Sequence, residues 1–401
     1  MPTCAAPSRL CPRLALVAVL LMAAGLPVAA GEPLFDLDWR LALRGAYAGG
    51  GDAARFEPLV LPEVAVARKT LRGGYALSAG AEIAVGGPDD ARLQALEAAL
   101  SGDYRLDAVT GLAGRLELAL SQDAPDFSGR PDDVAAASLV AAVDAEAAFT
   151  RQAGLLDLTL RGSVGRTVHG PTTFNDGAIA DNGAQDNWNM GAGLRLGYAV
   201  TPILVAFVEG DAGYQLYDRA SPAYLVKLDA ADYALRTGLA ARWPGVLEAE
   251  AAAGVNLRRF AEPGFADIVT ALYDASLTWR PDETLALGAR FSTTVGAPGP
   301  DAGGTARIAY VAAADLRYQV NSWLAVRGSA GWSHASFAGT ADSETVLEAG
   351  AGLDYLLNAV TTLTADYAYG ATSENRGPLE VEHRVTLGAT LARPAQAGAR
   401  D

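Results

Sequence analysis

The sequence predicts an all-β protein, a transmembrane, up-and-down, antiparallel β-barrel of about eighteen strands. Three observations predict this fold class. Apolar and polar residues alternate with a period of two, a strand ending in Leu-x-aromatic recurs beside tight connections, and short connections alternate with long ones. Amphipathic aromatic rings settle at the lipid headgroup level, and short turns at one end with longer loops at the other are typical of outer-membrane barrels.

The first thirty residues have the pattern of a cleaved signal peptide. Arg9 and Arg13 precede the apolar stretch from Leu14 to Leu26, and Val28-Ala29-Ala30 supplies small residues for cleavage before Gly31. A retained transmembrane helix is the alternative, but this stretch is shorter than the roughly 20 residues that span a bilayer. The predicted organisation is therefore a signal peptide over 1–30, a single barrel domain over 31–391 and a polar C-terminal tail over 392–401.

Composition argues against several classes of function. Both cysteines, Cys4 and Cys11, lie in the predicted signal peptide, so the mature chain has no disulfide and no cysteine metal site. A net charge of −15 with only two lysines argues against nucleic acid as a partner. Three histidines are too few for a His-rich metal site, and we expect no cofactor.

The predicted strands follow the two-residue period from the N-terminus onward. In order they cover 38–47, 62–70, 74–85, 100–109, 112–121, 140–151, 155–165, 187–199, 203–217, 228–243, 246–259, 268–280, 284–295, 305–320, 323–334, 345–356, 361–369 and 381–391. The first six are the least regular, because Arg68 would face lipid and Pro62 would sit at a strand start or bulge. Sixteen strands is therefore the alternative count.

One face of each predicted strand is apolar and the other is charged. In one strand Leu158 and Leu160 alternate with Asp157 and Arg161. A soluble sandwich could alternate too, but its core would be mostly large side chains, whereas this apolar face is rich in alanine and the charges fall near mid-strand. The charged face is predicted to line a water-filled lumen. The candidate lumen-lining residues include Arg115, Glu117, Asp157, Arg161, Arg195, Glu209, Asp211, Arg236, Glu248, Glu250, Asp274, Arg290, Asp315, Arg317, Asp354, Asp366 and Arg384.

The connections after even-numbered strands are tight and those after odd-numbered strands are longer. Examples of tight connections are 200–202 and 321–322, and examples of long ones are 122–139 and 166–186. Beside the tight connections lie the repeated aromatic positions, such as Leu277-Thr-Trp279. The predicted membrane-interface aromatics are Tyr198, Trp243, Trp279, Tyr318, Trp323 and Tyr355. This asymmetry predicts that both termini are periplasmic.

A family resemblance covers the region from about 202 to 391. It is carried by five motifs: Phe207-Val-Glu209, the segment from Asp274 to Pro281, the segment from Gly352 to Asn358, Asp366-Tyr-Ala-Tyr369, and the segment from His383 to Gly388. These resemble the β-barrel porin type 2 family of bacterial outer membranes. The resemblance implies a stand-alone barrel in the outer membrane of a Gram-negative bacterium, in families often linked with exopolysaccharide secretion. The motifs mark turns and aromatic girdles, so they transfer no catalytic or binding residue.

The C-terminus departs from the family pattern. Members usually end in an aromatic residue that the barrel-assembly machinery reads, whereas here the last strand is followed by a polar segment from Pro394 to Asp401. The expected partners are outer-membrane lipid, lipopolysaccharide and the assembly machinery. Periplasmic polysaccharide-export proteins are a further partner that the resemblance implies.

Enzymatic and metal-binding alternatives find little support. His169, His334 and His383 are the only histidines, and no two are evidently convergent, so we expect no catalytic activity. The loop 166–186 carries oxygen ligands, but their spacing matches no defined calcium loop, and a solvated loop is the alternative.

The sequence thus supports two hypotheses of function. The first is a passive channel for hydrophilic solutes or exported exopolysaccharide through a charged, water-filled lumen. The second is a structural or adhesive outer-membrane barrel whose lumen is closed. Whether a long loop folds inward separates them, and sequence does not determine it.

Overall fold

A computed structural model describes residues 35–49, 55–85, 91–122, 134–297, 304–375, 377 and 379–393. The predicted signal peptide and residues 394–401 lie outside the described residues, so both stay predictions. Within the described ranges, the structure has no helix with the length and apolar character needed to cross a bilayer.

The described chain is almost entirely β-strand. The strands are β1 (Asp36–Gly49), β2 (Arg55–Thr70), β3 (Gly73–Val85), β4 (Ala91–Arg105), β5 (Thr110–Gln122), β6 (Val134–Ala136), β7 (Leu139–Ala153), β8 (Leu156–His169), β9 (Thr172–Phe174), β10 (Ile179–Ala180), β11 (Asn187–Thr201), β12 (Leu204–Tyr217), β13 (Ala230–Trp243), β14 (Leu247–Phe260), β15 (Ile268–Trp279), β16 (Leu285–Gly296), β17 (Ala306–Asn321), β18 (Leu324–Ala338), β19 (Ser343–Asn358), β20 (Thr361–Glu374) and β21 (Glu380–Ala392). One 3₁₀ turn covers Gly183–Gln185.

Eighteen of these strands form one closed antiparallel barrel. Each long strand pairs with the next along the chain, and β1 pairs with β21 from Arg40 opposite Ala392 to Gly49 opposite His383. That last pairing closes the sheet and removes its free edges. The three short strands β6, β9 and β10 form a separate small sheet between long connections. The predicted fold class is confirmed, with eighteen strands and not sixteen.

The eighteen barrel strands correspond one to one with the predicted strands, and β2 and β4 differ most from the predicted bounds. β2 begins at Arg55, well before the predicted start at Pro62, and β4 covers Ala91–Arg105, where the prediction was 100–109. Pro62 lies inside β2: it is opposite Leu41 of β1, while the register with β3 is interrupted at Leu61 and Pro62. Because proline has no N–H to donate, β2 accommodates Pro62 by losing the regular pairing with β3 at this position.

Most of the tight connections carry a side chain that accepts hydrogen bonds from the backbone two or three residues later. Asp107, Thr201, Asp282, Asn321 and Asn358 accept such bonds at 2.8–3.3 Å. This local bond stabilises the reversal of the chain and defines where each strand ends. Two other tight connections contain glycines with positive φ, Gly154 at 65° and Gly245 at 75°.

Large apolar side chains lie on the exposed face of the sheet. In β13, Tyr233, Leu235 and Leu239 are each at least half exposed. Asp232 and Arg236, which belong to the other face of the same strand, are partly buried. A surface of this size would be unfavourable in water, but it is the surface that hydrocarbon requires around a barrel. The arrangement inverts that of a soluble sandwich and leaves the charged side chains on the other face.

Candidate functional site: the charged inner wall

The charged side chains share one face of the sheet because residues opposite each other across antiparallel strands point the same way. Arg195 on β11 is opposite Glu209 on β12, and Glu209 is opposite Arg236 on β13. Asp274 on β15 is opposite Ala252, which continues the same face. The alternation predicted from sequence therefore places these residues together.

Contacts between distant strands identify this face as the inside of the barrel. Arg195 on β11 donates two hydrogen bonds to Glu250 on β14, at 2.8 Å and 2.7 Å, although two strands lie between them. Three strand spacings separate the two backbones by roughly 14 Å. Side chains bridge such a distance on a concave surface, where they converge, and not on a convex one. We call this surface the inner wall.

The first ion-pair cluster consists of Arg161, Arg195 and Arg236 with Glu209, Asp211, Glu250 and Asp274. Glu209 is at its centre, 7% exposed, with one carboxylate oxygen or the other 2.7 Å from Arg161, 3.6 Å from Arg195 and 3.4 Å from Arg236. Arg236 also contacts Asp211 at 2.8 Å and Asp274 at 3.0 Å. Each arginine contacts at least two carboxylates, so the positive charges are compensated within the wall.

An aromatic ring supports the first cluster from the same strand as Glu209. The guanidinium carbon of Arg195 lies 3.5 Å from the ring centroid of Phe207, which is 4% exposed. A cation over an aromatic face is attracted by the ring quadrupole, and a planar guanidinium can still bond a carboxylate at its edge. Phe207 therefore fixes the orientation in which Arg195 reaches Glu250.

The second ion-pair cluster lies on β17 to β20. Arg327 contacts Asp354 at 2.9 Å and Asp366 at 2.7 Å, and Arg317 contacts Asp354 at 2.9 Å. Arg327 was not singled out in the sequence, although it continues the alternation of Ala325 and Ser329 on β18. The two-residue alternation therefore assigns Arg327 to the charged face of β18, but it does not distinguish Arg327 from other residues of that face.

Glycines on the inner wall let ion pairs pass over the strand between the partners. Gly193 on β11 lies between Arg161 and Asp211, and a Cβ there would be 2.5 Å from Asp211 Oδ1 and 3.5 Å from Arg161 Nε. Gly352 on β19 lies between Arg327 and Asp366 in the same way, and its Cβ would clash with Asp366 Oδ1. Sequence analysis missed both glycines, since their role depends on which charged residues flank them in the sheet.

A groove of about 990 Å³ on the wall of β1 to β5 is predominantly acidic. Five carboxylates line it, those of Asp38, Glu63, Glu82, Glu97 and Glu117, together with the three arginines Arg40, Arg115 and Arg393. Arg40 contacts Glu63 at 3.4 Å, and Arg115 contacts Glu117. Glu117 is also directly opposite Asp144 of β7, a like-charge pair. Like the first cluster and unlike the second, this part of the wall has more carboxylates than arginines.

The remaining candidates also occupy positions of the inner wall by strand register. Asp157 is opposite Gly197, Glu248 is opposite Arg242, and Arg290 is opposite Ser276. Asp315 is opposite Gly288, and Arg384 is opposite Ala368. Their role in lining a water-filled lumen stays a prediction.

Comparison with known proteins assigns the family. Residues 58–393 match the family model described as "Putative beta-barrel porin 2". The chain belongs to this family. The resemblance drawn from the motifs is thereby confirmed, and the molecule is a porin-like barrel of the outer-membrane type. No curated protein matches the chain.

Several solved porin structures are similar to this barrel. Pseudomonas aeruginosa OccK1 (OpdK) is 12% identical over 89% of this chain and 99% of that chain, with a TM-score of 0.46. OccK2 (OpdF) of the same organism is 10% identical over 90% of this chain and 98% of that chain, with a TM-score of 0.47. Acinetobacter baumannii OccAB4 is 12% identical over 89% and 98%, with a TM-score of 0.42.

The predicted interface aromatics of this porin-family barrel all lie at the end of the barrel where the tight connections are. Tyr198, Trp243, Trp279, Tyr318, Trp323 and Tyr355 are exposed there, on the outer face or in the turns. The rings of Trp323 and Tyr355 meet edge to face at 5.3 Å. Their position in a lipid headgroup layer stays a prediction.

The three histidines lie on three separate strands. His169 at the end of β8 is beside Asp186, whose Oδ1 accepts the His169 backbone N–H at 2.7 Å. His334 on β18 bonds Thr345 at 2.9 Å, and His383 on β21 bonds the Tyr367 hydroxyl at 2.8 Å. The structure does not bring them together. That the chain is not an enzyme stays a prediction, consistent with its porin family.

The oxygen ligands of the loop 166–186 are engaged separately. Asp176 accepts from the Ala178 N–H at 2.8 Å, Asp181 pairs with Arg219 at 2.7 Å, and Asp186 accepts from the His169 N–H at 2.7 Å. The Gly183 N–H and the Arg219 guanidinium hold the pKa of Asp181 below its usual value. In the part of the chain that the structure describes, no three His, Cys, Asp or Glu residues are grouped to hold a metal ion.

Proposed function

We propose that this barrel is a passive channel through which hydrophilic solutes cross the outer membrane. The observation that carries the proposal is the closed eighteen-stranded barrel with ion-paired side chains on its inner wall. Barrels of sixteen to eighteen strands leave an aqueous bore when no plug fills them. Charged side chains retain water where apolar ones would exclude it.

The ion-pair clusters support passage without tight binding. Because each arginine of the first cluster already contacts carboxylates, a solute meets a fixed pattern of charge and not a free cation. Conduction requires interactions strong enough for entry and weak enough for exit. The paired charges of the two clusters orient water and solutes without binding them tightly, and diffusion supplies the only driving force.

Export of exopolysaccharide through the same bore is the finer alternative that the family resemblance suggested. Such export would require periplasmic export partners, and it stays a prediction. The periplasmic position of the termini, contact with lipopolysaccharide and insertion by the barrel-assembly machinery also stay predictions. A structural or adhesive barrel with a closed lumen is the competing hypothesis. The geometry favours the channel because side chains alone fill only narrow barrels of about eight strands, so an eighteen-stranded barrel needs a plug to be closed. The connections 170–186 and 218–229 reach the inner wall at one end of the barrel, where they line a cavity with it.

Single-channel current across a planar bilayer tests the proposal. We expect discrete, stable conductance steps from the purified, refolded mature chain in simple salt. Ala234 on the inner wall and Ala251 on the outer face provide a matched pair of sites on neighbouring strands. Ala234→Trp should lower the conductance step because it narrows the bore, and Ala251→Trp should leave it unchanged.

Two results would overturn the channel. One is a silent bilayer with protein that migrates as a folded barrel in a heat-modifiability gel. The other is a conductance that Ala251→Trp changes as much as Ala234→Trp, since such a current would not pass through the bore.

A further inference from the structure

At the end of the barrel with the long connections, a cavity of about 600 Å³ lies against the inner wall. Its wall side comes from β8, β11 to β14 and the end of β16, and two long connections, 170–186 and 218–229, contribute most of the rest, with Ala297 and Gly304 beside them. We call this cavity the mouth pocket. Because both connections line the same cavity as the strands, they fold over the wall and not away from it. The wall residues that line the pocket include Asn187, Asn189, Gln215, Tyr217, Asp232 and Arg258.

Contacts between loops hold the mouth pocket in shape. Arg219 of the second connection pairs with Asp181 of the first at 2.7 Å. Tyr224 packs edge to face on Phe265 at 5.3 Å, and Phe265 packs on Phe260 at 5.5 Å. These contacts fix both connections to each other and to the barrel, so the pocket is formed before any solute arrives. A preformed pocket avoids the entropy cost of ordering loops on binding.

A chain of hydrogen bonds runs along the wall side of the mouth pocket. Arg258 is 1% exposed and donates to Asp232 at 2.9 Å and to Gln215 Oε1 at 2.5 Å. The amides of Gln215 and Asn189 both donate to Asn187 Oδ1, at 3.4 Å and 2.9 Å. Asp232 compensates the buried positive charge of Arg258, and Arg219 compensates the negative charge of Asp181. The lining is therefore polar but has no uncompensated cation to attract an anion.

Two buried donors of this wall have no protein partner. The Tyr217 hydroxyl, in a residue only 5% exposed, makes no hydrogen bond to the described chain, and neither does Arg258 Nε. Buried polar groups are nearly always paired, so an orphan group that lines a polar cavity indicates a partner from outside the protein. Tyr217 stands on the inner face of β12 beside the amide chain, where a solute in the pocket would meet it.

We propose that the mouth pocket binds a small neutral solute rich in hydroxyl groups, up to about the size of a disaccharide. Hydroxyl groups both donate and accept, as do the phenol and the carboxamides that line the pocket. An apolar solute would leave these groups unpaired, and a charged one would find no free counter-charge. The role of such binding as a loading step rests on the proposed channel, but the binding itself does not require conduction.

The test uses sucrose as the probe and Tyr217→Phe as the variant, since that change removes one oxygen and leaves the ring. We expect millimolar sucrose added at the long-connection side to interrupt the single-channel current, and Tyr217→Phe to weaken the apparent affinity about tenfold, the usual effect of one lost buried hydrogen bond of this kind. Tyr214→Phe is the matched control, because Tyr214 lies on the outer face of the same strand and is 39% exposed.

A second variant and a second readout separate the inference from the proposed function. Asn189→Ala, at an exposed position of the lining, should weaken binding without loss of the folded barrel. Equilibrium dialysis of radiolabelled sucrose against the detergent-solubilised mature chain measures binding whether or not the barrel conducts. Conductance without saturable sucrose binding would overturn the inference and leave the channel intact. Saturable binding to a silent barrel would overturn the channel and support the inference, and equal loss in Tyr217→Phe and Tyr214→Phe would overturn the site.

Discussion

At the scale of single residues, the charged side chains of the inner wall are stabilised mainly by one another, because the outer face of the barrel is apolar. Most of its ion pairs are partly exposed, and such pairs contribute only about 0–1 kcal/mol each. Glu209 differs because it is buried and contacts three arginines. Its carboxylate compensates several cations at once, so the first cluster depends on it more than on any single arginine.

Substituting Gly193 tests whether glycine is needed for ion pairs to cross a strand. Gly193→Ala would place a Cβ 2.5 Å from Asp211 Oδ1 and force the Arg161 pair to move. We expect a loss of about 1–3 kcal/mol in the free energy of unfolding, as for other overpacked sites. Urea unfolding in lipid vesicles, followed by tryptophan fluorescence, measures it.

The matched control for this prediction is Gly162→Ala on the neighbouring strand β8. A Cβ at Gly162 would meet nothing within 4 Å, so its effect should stay within about 0.5 kcal/mol. Equal effects of the two substitutions would mean that strand propensity, and not the crossing ion pair, determines the cost.

At the scale of elements, the tight connections behave as independent hydrogen-bonded caps. Asp282, between β15 and β16, accepts bonds from the Thr284 hydroxyl at 2.7 Å, the Thr284 N–H at 2.8 Å and the Leu285 N–H at 3.0 Å. These bonds, the Thr284 side chain first, hold the pKa of Asp282 below its usual value. Because the folded pKa is the lower one, the ionised carboxylate stabilises the turn above the usual value of 3.8, and this contribution is lost as pH falls through the folded pKa.

We therefore expect Asp282→Ala to destabilise the barrel at pH 7 and to make little difference near pH 2. Paired unfolding curves of the variant and the parent at the two pH values test this. Glu283→Ala, which removes an exposed carboxylate from the same turn, serves as the control and should change the free energy of unfolding at pH 7 by no more than about 0.5 kcal/mol. A difference between parent and Asp282→Ala that persists unchanged at low pH would assign the effect to shape and not to charge.

The elements also show where sequence reasoning succeeds and where it stops. A period of two determines the face of Arg161 and Glu209 because alternation is a local property of a strand. The contact between Arg195 and Glu250 depends on the curvature of the sheet across four strands. The sequence of one strand does not predict that curvature. The inward fold of the connection 218–229 depends on Tyr224 meeting Phe265 from another loop, and sequence gives no signal for such a pairing.

At the scale of the whole molecule, the charge of the inner wall is unevenly distributed. The second ion-pair cluster balances two arginines with two aspartates, and the first has three arginines for four carboxylates. The groove on β1 to β5 adds five carboxylates against three arginines. The whole chain carries a net charge of −15. A narrow water-filled space lined by an excess of one sign concentrates the opposite ion.

The barrel should therefore favour cations over anions by several-fold. In a potassium chloride gradient the reversal potential should have the sign for potassium permeation, and its size should grow as salt is lowered because screening weakens. The double variant Glu82→Gln and Glu97→Gln, which neutralises two groove carboxylates, should reduce it, whereas Glu283→Gln in an exposed turn should not. A reversal potential of the chloride sign at low salt would mean that the arginines, and not the groove, control the field in the bore.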